Sequence, residues 1–154
     1  MINRVAIDLG PAPDRLRNPE AKPTWAQLSR LGGDRVAILF EDLRKRIGAI
    51  DGLVEDLHFA GREEGWVPRY TVGRRELFRA RILPGTLEAT VRLGASEFAA
   101  LVALRSVRAA TKSALESNRS SEGESHAHFI LKNVSDVCSF SRLIVALSGL
   151  VEKD

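Results

Sequence analysis

The sequence predicts an α+β domain: an antiparallel sheet of about five strands with helices packed on one face, in the element order ααββββααβα. Three observations carry this. The apolar spacing is helical before Gly52, alternates from Leu53 to Leu93, and becomes helical again after Gly94. Short turn sequences (Gly61–Gly65, Gly73 and Pro84-Gly85) divide the alternating region, so successive strands pair antiparallel. Within Gly65–Leu93, GWVPRYTVGRRELFRARILPGTLEATVRL, apolar residues fall on one face and arginines on the other.

Residues 1–22 read as an irregular arm, because Pro11, Pro13, Pro19 and Pro23 break any helix. Only Val5, Ile7 and Leu9 alternate there, and they are expected to pack as an extended segment against a sheet edge or a second copy. The single domain is placed at 23–154. Thr24 and Gln27 form a capping-box pattern for a short helix with Trp25, Leu28 and Leu31 on its apolar stripe. Asp34 is expected to cap a second helix, with Val36, Leu39, Phe40, Leu43 and Ile47 facing inward.

Four strands follow. Leu53–Ala60 is the first, with His58 on the side away from the core. Trp66–Val72 is the second, and Pro68 marks it as an edge strand or the site of a bulge. Leu77–Ile82 and Leu87–Leu93 are the third and fourth. Phe98, Leu101 and Val102 begin another helix, and Val107–Asn118 suggests a weaker one before a serine-rich loop. His126–Leu131 alternates as a fifth strand, and Val137, Phe140, Ile144, Leu147 and Val151 line a last helix.

Composition excludes several classes. The chain has 154 residues, is 44% hydrophobic and 28% charged, and suits one ordinary globular domain. One cysteine, Cys138, allows no internal disulfide and is expected to be a buried, inert thiol. Met1–Gly10 carries Asp8 and lacks the apolar core of a signal peptide. The apolar runs Phe98–Leu104 and Leu143–Leu147 fall far short of the ~20 residues a membrane span needs. A reducing cytoplasm is therefore the expected compartment. Net charge is +3, and seven arginines against four glutamates between Arg62 and Arg92 account for all of it.

The central motifs resemble a known family. Pro23-Thr24, Leu31-Gly32, Phe40, Leu43 and Ile47 lead to Phe59-x-Gly61, then Gly65-Trp66-x-x-Arg69-Tyr70, then Leu83-Pro84 and Leu93-Gly94. Over about residues 22–150 this resembles the bacterial domain of unknown function 3788 family. The small iron-chaperone-like and MmcQ-like α+β domains share the coarse element order. The resemblance implies the fold, and it implies no activity, since the family has none established. Pro68 departs from the pattern, as do His126 and His128 on the penultimate strand.

The candidate ligand-binding residues are Trp66, Arg69, Tyr70, Arg79, Arg81, Arg92 and His58. Trp66 and Tyr70 can wall a pocket or anchor a helix, while the arginines can pair with an anionic group. No stacking aromatics share the arginine face, which makes nucleic acid an unlikely partner. His58, His126 and His128 share a face by strand parity, so a three-histidine metal site is an alternative. No elbow, phosphate-cradling or zinc-protease motif is present.

The reading reached is a cytoplasmic binding module without cofactor or resident metal. It takes a small anionic or amphipathic molecule or a protein partner on a basic, aromatic sheet face, and it is compatible with a homodimer. The alternatives are a small-molecule enzyme of isomerase or cyclase type using His58, His126 or His128, and a weak nucleic-acid binder.

Overall fold

A computed structural model describes residues 16–104 and 125–151. The expected arm segment Val5–Leu9, the weaker helix Val107–Asn118 and most of the serine-rich loop lie outside the described residues. The described elements run α1 (Trp25–Arg30), α2 (Asp34–Ile47), β1 (Leu53–Phe59), β2 (Trp66–Val72), β3 (Arg75–Leu83), β4 (Thr86–Leu93), α3 (Ala95–Ala103), β5 (Ser125–Ile130) and α4 (Val134–Leu150). The strands form one antiparallel sheet in the order β1-β2-β3-β4-β5. Each strand lies beside its sequence neighbour because each turn between the first four is too short to cross over.

The helices start as their local chemistry directs. Thr24 accepts from the Gln27 amide at 3.1 Å, and the Gln27 side chain accepts from the Thr24 amide at 2.9 Å, completing the capping box. For α2 the expectation needs correction. Gly33, at φ +93°, is the N-cap, and Asp34 is the first helical residue. There its carboxylate favours the helix through the dipole. Asn133 caps α4 by accepting from the Asp136 amide at 2.9 Å.

Every described helix contributes to one core on one face of the sheet. Tyr70 stacks on Phe78 with ring centroids 4.5 Å apart, and Phe78 meets Phe140 edge-on at 5.0 Å. Phe140 then meets Phe129 at 5.3 Å, so one run of aromatic contacts ties β2, β3, β5 and α4 together. Cys138 is half-buried on α4 rather than enclosed, which corrects the expectation of a buried thiol.

Two further expectations change. β2 is an inner strand, flanked by β1 and β3, despite Pro68. Its pairing with β1 runs through Leu57↔Pro68, whereas its pairing with β3 begins only at Arg69↔Arg79. Proline's missing N–H therefore falls where β2 and β3 are not yet paired. The bulge in that pair lies between Tyr70 and Thr71, not at Pro68. Among the described residues, no helix is long and apolar enough to cross a membrane.

Candidate functional site

The strand register splits the expected site residues between the two faces of the sheet. Tyr70 and Trp66 point into the core side. Tyr70 is 1% exposed, and its hydroxyl donates to Glu55 Oε2 at 2.7 Å. Arg44 of α2 grips the same carboxylate through Nε and Nη2, both at 2.8 Å, and lies 4.7 Å from the Trp25 ring centre. Trp66 packs edge-on against Phe59 at 5.5 Å, and its indole N–H donates to the Asn18 carbonyl at 2.9 Å. The aromatic pair is thus structural anchoring and does not join the arginines. A cleft of about 420 Å³ lies beside Glu41, Arg44, Glu55 and Tyr70, whose polar atoms bond to one another.

The motif Gly65-Trp66-x-x-Arg69-Tyr70 gains a local explanation. Gly65 has φ +70°, and a Cβ there would sit 2.2 Å from the Leu16 carbonyl oxygen. Leu16 is 2% exposed, so the end of the arm is seated on the β1–β2 turn. Arg17 Nε donates to the Arg62 carbonyl at 3.0 Å in the same place. Glycine is required because the backbone approach is too close for any side chain and the φ is left-handed.

The opposite face carries the remaining candidates. One lateral row crosses all five strands, with Asp56, Arg69, Arg79, Thr90 and His128 each opposite the next. Arg69 pairs with Asp56 at 2.8 Å and touches His58 Nδ1 at 3.1 Å. Partial burial, together with the Arg69 and Arg79 charges, holds the His58 imidazole below its ordinary range. Arg79 Nε pairs with Glu76 at 2.9 Å. Arg81 lies opposite Glu88, with a nitrogen–oxygen distance of 3.9 Å, and Arg92 Nε donates to His126 Nε2 at 3.3 Å.

Arg79, Arg81 and Arg92 line a cleft of about 140 Å³ with Thr90, His126, Glu64, Glu76 and Val67. Val67 is 2% exposed although it belongs to the non-core face. It gives the cleft an apolar patch among charged walls. Three guanidiniums around so small a space suit a compact anion, which they can meet with paired N–H groups.

The three histidines are not brought together. His58 lies on β1 and both His126 and His128 on β5, at opposite edges of the sheet. Four strand spacings separate them, about 19 Å. That span rules out a shared metal site, because metal–nitrogen bonds are near ~2.1 Å. Among the described residues no group of three or more histidine, cysteine, aspartate or glutamate side chains is arranged to hold a metal ion.

Sequence reasoning set Glu88 and Thr90 beside Arg69, Arg79, Arg81 and Arg92 on the outer face, and missed that Glu88 is enclosed there, at 2% exposed. The alternation marks it as a polar-face residue, and only the pairing of β4 with both β3 and β5 encloses it. Its Oε1 lies 3.3 Å from His128 Nε2. His128 Nδ1 in turn is 2.9 Å from the Thr90 hydroxyl. In comparisons with known proteins, the chain matches no family model, no curated protein and no solved structure.

Proposed function

We propose that this chain is a binding module for a small carboxylate- or phosphate-bearing molecule, held in the cleft between Arg79, Arg81 and Arg92. The observation that supports it most is the presence of three arginines from two adjacent strands around one cleft with an apolar wall. Thr90 and His126 add neutral hydrogen-bonding groups beside them. Arg69 and His58 extend the same face toward β1. Trp66 and Tyr70 support the sheet from behind and leave the reading. The reading keeps a cytoplasmic setting and membership of the 3788 family, the latter supported by Gly65, Trp66, Arg69 and Tyr70.

A thermal-shift series with small mono- and dicarboxylates and inorganic phosphate tests it. Arg79→Gln and Arg92→Gln remove charge without placing a new carboxylate beside Glu76 or Glu88. Anions that raise the melting temperature of the wild type should lose most of that effect in both variants. Equal shifts in wild type and variants, or no shift with any anion, would refute this placement of the site.

A further inference from the structure

Glu88 is a carboxylate buried on the face of the sheet that carries the charged residues. Taking an anion out of water is costly unless close partners compensate. Its side chain is 3% exposed, with Arg81 at 3.9 Å and His128 Nε2 at 3.3 Å. A carboxylate can only accept, so the neutral imidazole facing it carries its proton on Nε2. Nδ1 is then the acceptor, and the group 2.9 Å away is the Thr90 hydroxyl. The hydroxyl therefore donates to an imidazole that a buried carboxylate orients. Thr90 also lines the arginine cleft and lies directly opposite Arg79.

A hydroxyl, an imidazole and a carboxylate in that sequence are the parts of an activated nucleophile. From this juxtaposition we infer that Thr90 accepts the acyl group of a small anionic ester, with His128 as general base and Glu88 as the residue that positions His128. In the first step Thr90 Oγ bonds to the carbonyl carbon while the ester C–O bond breaks. The hydroxyl proton passes to His128 Nδ1, and from there to the departing alcohol. In the second step water attacks the acyl-threonine, its proton returns through His128 to Thr90 Oγ, and the free acid leaves. The arginines hold the substrate's own carboxylate and favour the negative charge that develops on the carbonyl oxygen. This inference rests on the anion-binding reading and adds a reaction to it.

The probe is the mono-4-nitrophenyl ester of succinic acid, with neutral 4-nitrophenyl acetate for comparison and unreactive succinate as a binding ligand. Peptide mapping of the acylated full-length wild type should place the acyl group on Thr90, with the succinate ester reacting faster than the acetate. Thr90→Val should abolish that adduct. His128→Gln should slow its formation about a hundredfold, the usual scale for a lost general base. Glu88→Gln should slow acylation without weakening succinate binding, a split that a purely structural role would not produce. Acylation confined to lysines, histidines or the amino terminus, with Thr90 unmodified in the wild type, overturns the inference. If succinate still binds in that case, the anion-binding reading survives. If succinate does not bind at all, that reading fails with it.

Discussion

The hydroxyl of Tyr70, a buried residue, donates to the partly buried Glu55 carboxylate at 2.7 Å across the β1–β2 pair. Glu55 occupies a core-facing position of β1, where a charge is unfavourable unless it is fully engaged. Arg44 from α2 engages both its oxygens, and Glu41 in turn holds Arg44 at 3.0 Å. The helix is thereby locked to the sheet by a polar network as well as by apolar packing.

Burial and the Glu55 charge both push the Tyr70 phenol well above its ordinary range. The neutral form is thus favoured in the folded state, and stability is lost as pH rises past the unfolded tyrosine value of about 10. Tyr70 is the sole tyrosine of the chain, so phenolate absorbance reports on it alone. In an alkaline titration, phenolate should form together with loss of the circular-dichroism signal. Phenolate forming near pH ~10 in a fully folded chain would contradict the network.

Gly65 and Gly85 share nearly the same backbone angle, φ +70° and +74°, yet differ in surroundings. Nothing lies within 4 Å of a Cβ built at Gly85, whereas the Leu16 carbonyl blocks one at Gly65. Gly85→Ala should cost about 1 kcal/mol, from left-handed strain alone. Gly65→Ala should cost more than about 2 kcal/mol, because the segment at Leu16 must also move. Urea denaturation of the two variants measures the difference directly. Equal costs would mean that Leu16 is not seated on this turn.

Glu97, at the start of α3, accepts from the Gly94 amide at 3.0 Å and pairs with Arg75. Partial burial works against its charge, but the Arg75 guanidinium and the Gly94 amide outweigh it and hold the carboxyl below the ordinary range. A depressed folded value adds stability above the unfolded glutamate value of about 4.3 and loses it as pH falls through the folded one. Glu97→Gln should therefore destabilise the protein near neutral pH and have little further effect in strong acid. Melting temperatures of both proteins across the acid range test this, and a pH-independent difference would contradict it.

Arg81 is a principal counter-charge of Glu88, although 3.9 Å is a loose contact. Arg81→Met should leave the buried carboxylate short of compensation and cost about 1–3 kcal/mol. Replacing both residues by methionine removes the unpaired charge, so the double variant should be more stable than Arg81→Met alone. A double variant less stable than the single one would show that Glu88 depends on His128 and other neighbours rather than on Arg81.

The sequence alone determined the element order, the antiparallel meander and the side of each strand that faces the core. Those features are local, set by residue spacing of 3.6 or 2 and by turn residues such as Pro84-Gly85. It also identified Gly65-Trp66-x-x-Arg69-Tyr70 as the most specific motif. Parity already placed Trp66 and Tyr70 opposite Arg69, and the tertiary structure decided that only the arginines share a cleft. The place of β5 beside β4 was decided there too, and with it the separation of His58 from His126 and His128, because parity assigns a face but not a position across the sheet. The burial of Glu88 and its link through His128 to Thr90 depend on the register of β4 with β5, where His128 lies 38 residues from Thr90 and 40 from Glu88 in sequence. Long-range pairing of that kind leaves no trace in the local spacing of either strand, since each alternates alike whichever residue it faces.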